Sequence, residues 1–161
     1  MKSLFKNIIA VLAIGLASMT VSAQSAKYKC MLQMNSYSGE GAYIVVSLIN
    51  PKGQYEKTLY VMGDDRKWYK SLKEWHKSQI KMPENISAVT GASANGGDRS
   101  VTTLELDESK VNKGYKIRFE SAVEDQKYYT TDAEIPLTTE GLSQRTEGKG
   151  YIKFVKLSKV E

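Results

Sequence analysis

The segment Thr90-Gly91-Ala92-Ser93 is where this chain's residue types suggest chemistry, because it sets two hydroxyls around a Gly-Ala pair in a sequence otherwise patterned for packing. A serine hydroxyl becomes a hydrolytic nucleophile only beside a base that takes its proton. The chain has one histidine, His76, and the segment lacks the Gly-x-Ser-x-Gly elbow, so a hydrolase reading is poor. Read as plain structure, the same residues make a turn in which Gly91 supplies an unusual backbone angle while Thr90 and Ser93 satisfy local backbone groups. The other polar clusters are weaker. Gly96-Gly97-Asp98-Arg99 lacks the strand, Gly-rich loop and helix order of a phosphate site and reads as a solvated turn. Glu124-Asp125 falls in an expected hairpin turn. His76 has no Cys/His cluster beside it, so metal catalysis is not expected. Tyr128-Tyr129 and the other tyrosines read as cross-strand partners rather than a ligand face.

These residues have to be positioned by strands. In residues 27–34, Tyr28, Cys30, Leu32 and Met34 alternate with polar neighbours, the period of a half-buried strand. Residues 42–49 are β-branched, with Ile44, Val46 and Leu48 on one face, and Asn50-Pro51-Lys52-Gly53 turns the chain into a return strand at 54–62. That return run offers Tyr55, Leu59 and Val61 on one face and Thr58, Tyr60 and Met62 on the other. Trp68, Leu72 and Trp75 then fall at i, i+4 and i+7, so residues 66–80 read as the one amphipathic helix, stopped by Pro83, its two tryptophans plugging the sheet edge. Strands resume around Thr102-Leu106, Tyr115-Phe119, residues 127–137 and residues 151–157. Pro136 marks an edge or a strand end, and the broken alternation in the last run marks a bulge. Residues 83–99 and 138–149 read as loop and long turn. The sum is an all-β, antiparallel β-sandwich of about seven strands with one inserted helix.

The first 23 residues have the form of a secretory signal peptide: Lys2 and Lys6, an apolar run from Ile8 to Met19, and small residues at Val21-Ser22-Ala23, with cleavage expected before Gln24. No later run approaches the length of a membrane span. A single domain is expected over residues 24–161, periplasmic or secreted. The formal charge is +5 with 23 basic and 18 acidic residues spread along the chain, a balance that argues against nucleic-acid binding. The lone Cys30 has no partner within the chain for a disulfide, so stability has to come from packing.

Three stretches in order carry a resemblance. Ala42-Tyr43-Ile44-Val45-Val46, Lys57-Thr58-Leu59-Tyr60-Val61-Met62-Gly63 and Trp68-Tyr69-Lys70-Ser71-Leu72-Lys73-Glu74-Trp75 are followed by Ala88-Val89-Thr90-Gly91-Ala92-Ser93 and Gly114-Tyr115-x-Ile117-x-Phe119-x-Ser121-Ala122. Over residues 42–137 this order resembles an uncharacterised family of predicted periplasmic bacterial proteins, a domain of unknown function. The second half is similar to the immunoglobulin-like domain of flagellar hook-capping proteins, which implies an immunoglobulin-like sandwich. The family resemblance also implies company with envelope redox or iron-uptake components, including PepSY-type membrane proteins and flavin transferases.

In that company Thr90-Gly91-Ala92-Ser93 resembles the last four positions of the Asp-x-x-Ser/Thr-Gly-Ala-Ser/Thr site at which flavin transferases attach FMN through its phosphate. The resemblance makes Ser93 the candidate acceptor, with Thr90, Gly91 and Ala92 shaping an accessible loop continued by Ala94, Asn95, Gly96 and Gly97. It implies an exported, noncatalytic accessory protein carrying covalent FMN. The motif's acidic position is Ser87 here, and neither Glu84 nor Asp98 has its spacing. The alternative is a cofactor-free interaction module that docks onto an envelope protein through a strand edge or a Tyr-rich face.

Overall fold

The computed structural model describes residues 24–161; the signal peptide expected over residues 1–23 lies outside the described residues. Among the described residues nine strands form two sheets: β1 (Ser25–Met34), β2 (Tyr43–Ile49), β3 (Tyr55–Met62), β4 (Thr90–Gly91), β5 (Arg99–Asp107), β6 (Lys116–Ala122), β7 (Tyr128–Pro136), β8 (Arg145–Glu147) and β9 (Ile152–Lys159). One sheet has the order β5-β1-β9-β8 and the other β4-β3-β2-β6-β7. The expected all-β sandwich is thus the observed architecture. β4 and β8 were not expected, and both come from stretches read as loops. At two and three residues they are too short to show a period, and only their neighbours make them strands. β4 also departs from the antiparallel expectation, because it runs parallel to β3, with Thr90 beside Val61 and Gly91 beside Met62.

Period-two patterning builds the core. Tyr28, Cys30, Leu32 and Met34 of β1 meet Ile44, Val46 and Leu48 of β2 and Ile117 and Phe119 of β6 between the sheets. Pro136 ends β7, which is an edge strand as its proline requires. The expected bulge in the last strand is real: Gln33 pairs with Phe154 and Met34 with Ile152, so Lys153 is the extra residue. A second bulge corrects the reading of β3. Val46 pairs with Tyr60 but Ser47 with Thr58, which leaves Leu59 as the extra residue. Leu59 therefore joins Tyr60 and Met62 at the inter-sheet core, while Val61 faces the other side. Cys30 is fully buried between the sheets, and burial pushes its thiol up to about 12. Native protein is expected to leave a thiol-specific reagent unconsumed at neutral pH and to react only after denaturation, as a colorimetric thiol titration will show.

β2 is buried on both faces, because Val45 and Val61 turn outward into a second cluster with Tyr69, Leu72, Trp75 and Ile86. The segment supplying this cover is not one helix. A 3-10 helix, Arg66–Ser71, is followed after Leu72 by α1 (Lys73–Lys81). Side chains three apart eclipse in 3-10 geometry, so Tyr69, Leu72 and Trp75 form the buried line instead of Trp68, Leu72 and Trp75. Trp75 is buried as expected, but against the outer face of the inner strands β3, β2 and β6 and not at the sheet edge. Trp68 is rotated out and only half-buried.

α1 has no side-chain cap of its own, and the sheet provides one. Tyr128 Oη accepts the Glu74 amide at 3.0 Å, Glu120 Oε2 accepts the Trp75 amide at 3.3 Å, and Tyr128 Oη donates to that same carboxylate at 2.7 Å. Burial pushes the Glu120 carboxyl above its ordinary value, although its hydrogen bonds with Tyr128 and Trp75 and the charge of Arg118 pull downward. A raised acid value means that folding favours the protonated form. This contribution is complete below the unfolded value of about 4.3 and is lost as pH rises through the folded value. Glu120→Gln is therefore expected to gain stability relative to the wild type between about pH 4 and pH 7. Urea midpoints at the two pH values test this, and a constant difference between the proteins rejects it.

Candidate functional site

The loops at one end of the five-stranded sheet enclose a pocket of about 130 Å³ lined by Glu40, Gly41, Tyr43, Trp68, Ser71, Ser93, Ala122 and Glu124. Four separate parts of the chain meet there. Gly41 and Tyr43 lead into β2, Trp68 and Ser71 come from the 3-10 helix, Ser93 follows β4, and Glu124 lies in the tight β6–β7 turn where Asp125 has φ 55°. The parallel pairing of β4 with β3 sets Ser93 at this end. Gly63 donates its amide to the Gly91 carbonyl at 2.7 Å, and Ala42 and Ala94 exchange backbone hydrogen bonds at 2.6 and 3.1 Å.

The four candidate residues have different fates. Thr90 spends its hydroxyl on the Ile86 carbonyl at 2.8 Å, as the turn reading anticipates. Gly91 has no unusual backbone angle, so the hinge expected there is corrected. It is glycine because Tyr60 Oη would lie 2.3 Å from any Cβ. Ala92 is exposed. Ser93 is half-buried, and among the described residues its Oγ makes no hydrogen bond, which corrects the expectation that it satisfies the local backbone. That oxygen lies against Gly41, where an added Cβ would approach it to 2.5 Å. Glycine at 41 makes the room in which this hydroxyl sits.

The loop beyond Ser93 is held more firmly than its composition suggests. Ala94 is buried, and its carbonyl also accepts from Tyr37 Oη at 2.6 Å while that hydroxyl accepts the Ala42 amide at 2.8 Å. Asp98 accepts the Asn95 amide at 2.9 Å and so closes the following turn. Glu84 is equally committed: it accepts from Tyr55 Oη at 2.7 Å and from the Thr58 amide at 2.9 Å, beneath the indole N–H of Trp75 that donates to Thr58 Oγ1. Burial, set against the hydrogen bond with Thr58, leaves the Tyr55 hydroxyl well above its ordinary value. Ser87 is exposed in a short 3-10 turn and brings no charge to the pocket.

The acidic groups at Ser93's pocket are instead Glu40 and Glu124, both exposed and neither in an ion pair among the described residues. Sequence reading places Glu124 in a hairpin turn and gives Glu40 no role. Tyr43 and Trp68 were missed as site residues too, because strand and helix periods assign them to packing. The hint available was Gly39-Glu40-Gly41, an acid between two glycines. Lys67 Nζ lies 5.3 Å from the centroid of the Trp68 ring and is itself paired with Asp65 at 2.8 Å. Burial raises the Tyr43 hydroxyl above its ordinary value.

The remaining tyrosines mostly pack on one another. Tyr37, Tyr151 and Tyr129 form edge-to-face contacts at 5.0 and 5.3 Å. His76 is half-buried on α1 and lies apart from the Ser93 pocket. Among the described residues no group of three or more His, Cys, Asp or Glu is arranged to hold a metal ion, and no helix is long and apolar enough to cross a membrane.

Fold and site together define a two-sheet β-sandwich whose loops present an uncommitted serine hydroxyl in a pocket walled by two aromatic rings and two carboxylates. The model of the family described as "Predicted periplasmic protein (DUF2271)" matches residues 25–154, and the chain belongs to that family. No curated protein and no solved structure matches it.

Proposed function

We propose that this protein is an exported, noncatalytic electron carrier with FMN joined through its phosphate to Ser93, serving an envelope redox or iron-uptake system. Its partners are then a flavin transferase, which loads it, and a membrane reductase component of the PepSY type. The observation that carries the reading is the state of the hydroxyl: Ser93 Oγ has no hydrogen-bond partner among the described residues and stands at a pocket, whereas Thr90 Oγ1 is engaged by the Ile86 carbonyl.

Attachment requires an FMN phosphate with a leaving group, which the pyrophosphate of flavin adenine dinucleotide provides. Ser93 Oγ forms a bond to the FMN phosphorus, the pyrophosphate bond breaks, AMP leaves, and the hydroxyl proton passes to a base of the transferase. Glu40 and Glu124 are the carboxylates that this chain offers at the site in place of an acid at position 87. Once attached, the flavin supplies the electron chemistry, and the protein orients it and limits its exposure.

The test is export of the full chain beside its own flavin transferase, followed by peptide mass spectrometry. FMN covalently bound to the Ser93 peptide is expected. A peptide recovered only unmodified under those conditions overturns the reading and leaves a cofactor-free docking module.

A further inference from the structure

We propose that β5 is the edge through which two copies of this chain join, pairing antiparallel about Thr103 so that the four-stranded sheet continues from one copy into the other. The pairing is independent of what Ser93 carries, because no residue of β5 lines that pocket.

An open strand edge is a row of unpaired N–H and C=O groups, and proteins ordinarily blunt it with a short strand, a proline, a lysine, a bulge or a cover. The other sheet edges among the described residues are blunted in these ways. β4 has two residues and β8 three, while β7 ends in Pro136 and gives its Asp132 carbonyl to the Lys149 amide at 2.8 Å. β5 has none of these devices. Its nine residues lack proline, glycine and lysine, and they pair with β1 in unbroken register, from Arg99 beside Gln33 to Asp107 beside Ser25. Alternate residues of such a strand turn their backbone groups away from the neighbour. Among the described residues the backbone of residues 100–106 meets no partner beyond β1. A groove of about 410 Å³, lined by Thr103 and Glu105 and by Leu59 and Val89 opposite them, leaves room beside this edge.

The side chains select a second copy as the occupant. The strand begins with Arg99 and ends with Asp107, and among the described residues neither forms an ion pair within the chain. A two-fold axis at Thr103 sets Arg99 of each copy opposite Asp107 of the other, and Val101, which is 61% exposed, against the stem of Glu105. Centring the pair on Glu105 would face that carboxylate with itself, and centring it on Val101 would give up both charge pairs. Charge therefore fixes the register as well as the partner.

The experiment is sedimentation of the protein recovered after export, at about 1 to 500 µM, because one strand pair buries less than a standard interface of about 1,600 Å². A monomer–dimer equilibrium is expected. Thr103 is exposed, so Thr103→Lys is expected to keep its circular dichroism spectrum while setting two ammonium groups together at the axis, which weakens the dimer about tenfold. Arg99→Asp and Asp107→Arg each place like charges opposite one another and are each expected to dimerise more weakly. An equimolar mixture of these two variants is expected to recover the dimer, since every charge pair across it is then complementary. Wild type that stays monomeric at the highest concentration overturns the proposal, as does a dimer that Thr103→Lys leaves equally tight. Folded charge variants that fail to recover on mixing overturn the register. A chain that is monomeric alone but crosslinks through β5 to a different envelope protein assigns the edge to that protein and overturns the second copy.

Discussion

Asp132→Ala is expected to destabilise the protein by about 3 to 5 kcal/mol, lowering its melting temperature by roughly 10 °C. Asp132 is fully buried on β7, and among the described residues its carboxylate does not form an ion pair. Oδ1 accepts the amides of Lys149 and Gly150 at 3.0 and 2.7 Å, and Oδ2 accepts the Ile152 amide at 3.0 Å together with the hydroxyl of Ser121. Two of these donors belong to the β8–β9 connection and a third is the first residue of β9, so one side chain of the five-stranded sheet ties down a turn of the four-stranded sheet. Alanine leaves the buried Ile152 amide, the buried Ser121 hydroxyl and the half-buried Gly150 amide without this acceptor, while the exposed Lys149 keeps its amide bond to the backbone carbonyl at position 132 at 2.8 Å; each buried donor left unpaired carries a desolvation cost of about 1–3 kcal/mol, partly relieved where water enters. Asp132→Asn retains the shape but turns an NH₂ toward N–H donors, and it is expected to recover only part of the loss. Urea unfolding of the three proteins measures this. An alanine variant within about 0.5 kcal/mol of the wild type shows that the turn holds without its acceptor.

The largest functional effect is expected from Ser93→Ala. It should abolish covalent flavin entirely while leaving the unfolding midpoint unchanged, since the hydroxyl removed makes no hydrogen bond among the described residues. Thr90→Ala is the contrasting case. It is expected to retain flavin and to lose about 0.5–1.5 kcal/mol of stability with the bond to the Ile86 carbonyl. Gly41→Ala tests the room around the acceptor. Its Cβ would stand 2.5 Å from Ser93 Oγ and 3.0 Å from Ser93 Cβ, so the serine has to turn aside and the extent of loading is expected to fall. Flavin incorporation per chain, read by intact mass, orders the set as wild type and Thr90→Ala above Gly41→Ala, with Ser93→Ala at zero. Flavin found elsewhere in Ser93→Ala reassigns the acceptor.

What could be read before folding was whatever short-range periodicity encodes. The alternation Tyr28, Cys30, Leu32, Met34 allowed one face inward, and Asn50-Pro51-Lys52-Gly53 allowed only a turn. Periodicity misled where geometry changed within a run. A bulge at Leu59 moved that residue to the opposite face from Val61, and a 3-10 turn before Leu72 replaced Trp68 with Tyr69 in the buried line. Asp132 was illegible for a different reason. Its position in a Tyr- and Thr-rich strand gives no sign that three amides from residues 149–152 converge on it.

The sequence by itself determined the β-sandwich class, the strands long enough to show a period, a strand that Pro136 makes an edge or ends, and Ser93 as the hydroxyl to watch. The local turn that the sequence suggested accounts for Thr90, but the tertiary structure alone decided that Ser93 is left without a hydrogen bond among the described residues, because its hydroxyl sits against Gly41, more than 50 residues away. It also decided which acids attend the site. Charge acts through space, so Glu40 and Glu124, more than 30 residues away on either side of Ser93 in sequence, stand at its pocket while Ser87, six residues away, brings none.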